Sequence, residues 1–117
     1  MRSLARVTLR RSDEEASGFS EGSVAESSRY RAVAQATLDA LRKLVNSAEG
    51  ADVETAACVH MGTREVAVVT LVFVVPPHEE VVSGSAVVRG GNEPEALARA
   101  VLDATNRRLN TSPSEPR

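Results

Sequence analysis

The chain has 117 residues, 42% hydrophobic and 26% charged, with a formal net charge of −2. This length makes one domain with its own core, and a single cysteine leaves no internal disulfide and no cysteine-rich zinc site. The slightly acidic balance and only three aromatics, Phe19, Tyr30 and Phe73, exclude the positive field and stacking platforms of nonspecific nucleic-acid binding. No apolar run reaches the roughly 20 residues of a membrane span, and Met1-Arg2-Ser3-Leu4 starts no apolar signal region, so a cytoplasmic location is expected, with no membrane partner.

Leu4 to Arg11 alternates, with Ala5, Val7 and Leu9 on one side and Arg6, Thr8 and Arg10 on the other, which predicts a strand with one wet face. Ser12 to Ser28 is rich in serine, glycine and acids and is expected as a long, mobile loop. From Ser27 or Ser28 to Ser47, the spacing of Tyr30, Val33, Ala34, Thr37, Leu38, Leu41, Leu44 and Val45 predicts a helix. Its last turns hold Arg42 and Lys43, and Asn46 to Gly50 ends it. Three strands follow over 52–61, 65–75 and 79–89, separated by Met61-Gly62-Thr63-Arg64 and by Pro76-Pro77, which cannot donate to a ladder. Gly90-Gly91 breaks the chain. Asn92 caps a second helix, with Pro94 in its first turn, Glu95 completing a capping box, and Leu97, Val101, Leu102, Thr105 and Leu109 as its buried stripe. Residues 111–117 hold two prolines and are expected as a flexible tail.

The expected fold is therefore α+β: a two-layer β-α-β-β-β-α domain over residues 1–110, with two helices on one face of a four-stranded, mostly antiparallel sheet. The strand over 65–75 is apolar on both alternating sets. Ala67, Val69, Leu71, Phe73 and Val75 face one way, and Val66, Val68, Val72 and Val74 the other. Two helices cover one face only, so the second face is expected to be buried by another protomer, in a homodimer or larger assembly formed through the sheet.

Candidate chemistry is thin. Cys58 and His60, two apart on a strand, share a face. They offer a metal pair without further ligands, or a nucleophile and base without an orienting group, and the expected reading is a small core cysteine and a half-exposed histidine, with no metal and no cofactor. Gly18 and Gly22, with Ser20 and Ser23, precede one helix start, and Gly90, Gly91 and Asn92 precede the other. Glycine lets backbone approach a ligand and helix starts attract anions, so these residues are candidates for binding a small anionic or amino-acid-like metabolite. They match no phosphate-loop or dinucleotide pattern. Arg31, at the first helix start, joins them as an anion partner; Arg29 and Arg31 otherwise ion-pair with Glu26 or Asp39.

The stretch Glu95-Ala96-Leu97-Ala98-Arg99-Ala100-Val101-Leu102-Asp103-Ala104-Thr105-Asn106-Arg107, after Gly90-Gly91, resembles the closing helix of the C-terminal regulatory domain of 2-isopropylmalate synthases. Arg31-Ala32-Val33-Ala34-Gln35-Ala36-Thr37-Leu38-Asp39-Ala40-Leu41 is a looser match to that domain's other helix. The resemblance implies one complete βββα unit plus the last strand and helix of another, and a ligand-sensing role. The catalytic barrel and its metal ligands are missing, so synthase activity is not implied. The expected function is a non-enzymatic regulatory or accessory module that self-associates and binds a small metabolite. The alternatives are a small enzyme with an inter-protomer site using Cys58 and His60, and an RNA-binding module, whose second helix here lacks a lysine cluster.

Overall fold

A computed structural model describes residues 2–11, 14–23, 26–44 and 50–110. Strands β1 (Arg2–Arg11) and β2 (Glu14–Ser23) form an antiparallel pair, and helix α1 (Glu26–Leu44) follows. Strands β3 (Ala51–Met61), β4 (Arg64–Val75) and β5 (His78–Val87) form an antiparallel meander, and helix α2 (Glu93–Asn110) comes after it. No helix among the described residues is long and apolar enough to cross a membrane.

The α+β class and the meander match the sequence reading, but two details differ. The stretch expected as a loop over 12–28 contains strand β2. In place of one four-stranded sheet there are two sheets, β1-β2 and β3-β4-β5. The expected end of the first helix over 45–49 and the tail over 111–117 lie outside the described residues.

Serine, glycine and glutamate are poor strand formers, which is why β2 carries little β signal. Cross-strand contacts hold it instead. Thr8 Oγ1 and Ser17 Oγ lie 2.8 Å apart, and the Arg6 guanidinium sits 5.8 Å from the centre of the Phe19 ring opposite it. On the inner side α1 comes so close that a Cβ on Gly18 would strike the Ala36 carbonyl oxygen and the Ala40 nitrogen. Close helix packing needs a glycine there, and that glycine disguises the strand.

The same device recurs on β5. A Cβ on Gly84 would strike the Ala100 carbonyl oxygen and the Ala104 nitrogen of α2. The two strand-strand-helix sets are copies of one pattern. Ala5-Arg6-Val7-Thr8-Leu9 corresponds to Ala67-Val68-Val69-Thr70-Leu71, and Ser17-Gly18 to Ser83-Gly84. The registers agree, with Val7 opposite Gly18 and Val69 opposite Gly84. On the helices, residues 32–40 and 96–104 are identical at six of nine positions. Asp39 accepts the Phe19 N–H at 3.2 Å and Asp103 accepts the Ser85 N–H at 3.0 Å. Each aspartate also pairs with a cation one turn on, Lys43 and Arg107. The chain is thus a ββα unit followed by a βββα unit, with β3 as the second unit's extra strand.

The core lies between the helices and the inner sheet faces. Leu38, Val69, Leu71, Phe73, Leu97 and Val101 are fully buried, each contributing about 1.5–3 kcal/mol of transfer free energy. Buried Ala32, Ala34, Ala36 and Ala40 on α1, and Ala96, Ala100 and Ala104 on α2, let the helix backbones approach the strands. Helix α1 also packs on β3 of the other unit. Arg31 Nη1 donates to the Glu54 carbonyl at 2.8 Å, Gln35 Nε2 to Asp52 Oδ1 at 2.8 Å, and Arg42 to the Ala51 carbonyl.

Candidate functional site

The candidate ligand residues do not converge. Gly18 is buried under α1, where no space is left for a ligand. Ser20, Gly22 and Ser23 lie on β2, opposite Ala5, Ser3 and Arg2. Arg31 is spent on β3. Gly90 and Gly91 have φ of 59° and 73°, the left-handed region that a glycine turn permits, and they stand in open space. Asn92 caps α2 as expected, its Oδ1 accepting the Glu95 N–H at 3.3 Å.

Asn92 does, however, border a cleft of about 670 Å³ between β1 and the N-terminal halves of the two helices. Its floor is apolar, from Val7, Ala32, Val33, Leu97 and Ala98. Its charged lining residues are Arg6 of β1, Arg29 of α1, and Glu93 and Glu95 of α2. Tyr30 joins the two helix starts by donating to Glu93 Oε2 at 2.9 Å. Of the cleft's charged residues, sequence reasoning considered Arg29 and passed over Arg6 and Glu93. The missed signal was the repeat itself: Arg29 and Arg31 on α1 correspond to Glu93 and Glu95 on α2, so the two helix starts face each other with opposite charge.

Beneath this cleft edge the fold gathers Cys58, Glu65 and Glu93, whose Sγ and carboxylate oxygens all lie within 4.8 Å of one another. Cys58 faces inward on β3, and His60 stands opposite Glu65 in the register. The donor types would suit a divalent ion, yet the thiol is poorly prepared for one. Burial first, and then the nearby Glu93 and Glu65 carboxyls, push its pKa up to about 11. Metal binding and nucleophilic attack both need the thiolate, which these surroundings suppress at neutral pH. Glu93 moves the other way. A hydrogen bond from Glu65, then that from Tyr30, holds its carboxyl below the usual range. On β3, Asp52 is likewise held low, chiefly by the Gln35 amide, with help from the Val53 N–H, Arg31 and Arg42.

The third feature is the outer face of the β3-β4-β5 sheet. Val59, Met61, Val74, Val81 and Val87 are exposed there, Met61 to 64% and Val81 to 57%. Val66, Val68 and Val72 between them are half-buried by their neighbours alone.

No protein-family model matches this chain, and no curated protein matches it in sequence.

Proposed function

We propose that the chain is a non-enzymatic regulatory or accessory module that associates with a second copy through the outer face of its three-stranded sheet and holds a small ligand in the cleft. The observation that carries this reading is the contrast between the two units. At matched outer positions the first unit has Arg6, Arg10 and Glu15 where the second has Val68, Val72 and Val81. The first unit's outer face is charged at these positions, although it exposes Phe19 to 50% where the second has Ser85, and the second unit presents a contiguous valine surface of the kind that marks an interface. Strand spacing and rise give that face roughly 500 Å² per protomer, at the lower end for specific association, so the dimer is weak and concentration-dependent.

The ligand part of the reading is supported by the cleft. Residues of both charge signs and apolar residues in its lining suit a compound with both charge signs and an apolar part, as an amino acid has. The resemblance of α2 and its approach to a ligand-sensing domain points the same way.

Light scattering across a dilution series tests the assembly. The expected result is a dimer or larger species at high concentration that dissociates on dilution, and a monomer at every concentration for the Val68→Arg, Val72→Arg double variant, which copies the first unit. A monomeric parent chain, or an assembly indifferent to both arginines, would sink the proposal.

A further inference from the structure

The repeat also shows what is missing. In the second unit β4 has a neighbour on each side, β5 and β3. In the first unit β1 pairs with β2 alone among the described strands, and its other edge carries none. Strand β3 lies beside β4 and packs on the helix of the opposite unit, α1. The same relation applied to the first unit puts a strand beside β1 and against α2. That position is the cleft, which Val7 and Arg6 of β1 and Leu97 and Ala98 of α2 border.

Matched residues on the two helices differ as a missing strand requires. Leu38 and Ala34 of α1, beside β3, are fully buried. Their counterparts are less covered, Leu102 being 37% exposed and Ala98 half-buried. Gln35 donates to Asp52 of β3, whereas its counterpart Arg99 donates from Nη2 to the Val87 carbonyl at 2.7 Å, pairs with Glu95 at 3.5 Å and keeps a buried Nε with no hydrogen-bond partner among the described residues. The unpaired edge, the less covered side chains and the unmatched donor have one common remedy.

We infer that the cleft accepts an extended peptide segment of a partner protein, which adds to the free edge of β1 as β3 adds to β4. This rests on reading the cleft as a binding site and names what it takes. Backbone pairing with β1 supplies affinity, and side chains at alternate positions supply specificity. Strand β3 indicates their chemistry. Opposite β4 it presents Ala56 to Val69 and Cys58 to Ala67, so the segment carries small apolar residues facing Val7 and its neighbours. An acceptor stands where Asp52 does, for Arg99.

The probes are two labelled synthetic peptides of the β3 sequence, residues 51–61 with Cys58→Ser, one of them also carrying Ala56→Arg, which puts a bulky charge at the position facing Val7. Binding is read by fluorescence anisotropy, and amide hydrogen exchange is followed along β1. The parent peptide is expected to bind at least tenfold more tightly than the Ala56→Arg peptide and to slow exchange between Arg6 and Leu9. Binding of a free amino acid without binding of either peptide would overturn the strand while leaving the cleft a ligand site. Failure of peptides and amino acids alike would remove both readings. Protection of Arg6 to Leu9 in the free protein that fades on dilution would assign the edge to a second copy, and the peptide inference would fall.

Discussion

Gly18 and Gly84 occupy the same place in two copies of one unit, each pressed against the backbone of the helix that follows it. Neither has a positive φ, so the demand is for space alone. A methyl group at either position meets a carbonyl oxygen and a backbone nitrogen, which no side-chain rotation can move aside. Gly18→Ala and Gly84→Ala are each expected to lower stability by about 2–3 kcal/mol, the upper range for overpacking. Urea unfolding measures it. A loss under 0.5 kcal/mol would show that helix and strand separate easily.

Asp39 and Asp103 form the second half of this device. Each accepts a strand N–H and neutralises a cation one turn along. The exposed ion pairs add little, so the bond to the strand dominates. Asp103→Ala is expected to cost about 1–2 kcal/mol, while Asp103→Asn, which keeps an acceptor, loses less. Equal losses for both variants would mean that charge matters more than the hydrogen bond.

Cys58 offers a chemical test of the enzyme alternative. With its pKa pushed up to about 11, alkylation at pH 8 should run about two orders of magnitude slower than for an unperturbed thiol. Labelling at the free-cysteine rate would reopen the nucleophile reading. The same shift acts on stability. Between about pH 8.5 and 11 the unfolded chain has shed a proton that the folded chain keeps. This contribution is full below pH 8.5 and is lost as pH rises toward 11. Cys58→Ala should flatten that alkaline decline in urea midpoints.

Asp52 works in the acid range with the opposite sign. Its pKa is lowered, chiefly by Gln35, so its contribution is present above the ordinary carboxylate pKa and is lost as pH falls through the lower folded value. Gln35→Ala should reduce the loss of stability on acidification. An unchanged acid limb would show that the β3 contact carries no linkage.

Much of the architecture was legible because periodicity reports burial directly. The 3.6-residue pattern marked both helices, and the apolar alternation of Ala67, Val69, Leu71 and Phe73 marked the inner face of β4, where all four are buried. Leu102 broke its pattern, counted in the α2 stripe yet 37% exposed. Strand β2 was missed because its inward positions must be small, and Gly18 reads as loop wherever its neighbours are polar. The repeat escaped notice because its three parts keep different spacings. Val7 to Val69, Gly18 to Gly84 and Asp39 to Asp103 are 62, 66 and 64 residues apart, so no single offset aligns them.

The cleft was less legible still. The glycine signal led to turns and to a packing contact, since a glycine before a helix reports backbone geometry before it reports a ligand. The cleft's charges, Arg6, Arg29, Glu93 and Glu95, come from three elements and meet only after the two units dock.

Local sequence alone determined the helices, the meander, the Asn92 cap and the two-sided apolar character of β4, because each depends on neighbours within a few residues. Tertiary structure decided that a glycine-rich stretch becomes a strand, that the described strands divide into two sheets, and that among them β1 pairs on one edge only. Those outcomes depend on how closely a helix backbone can approach a strand and on which element of one unit covers the other. Such contacts reach beyond a local window, 18 positions from Gly18 to Ala36, 23 from Arg31 to Glu54 and 63 from Tyr30 to Glu93, and no local pattern of side chains records them.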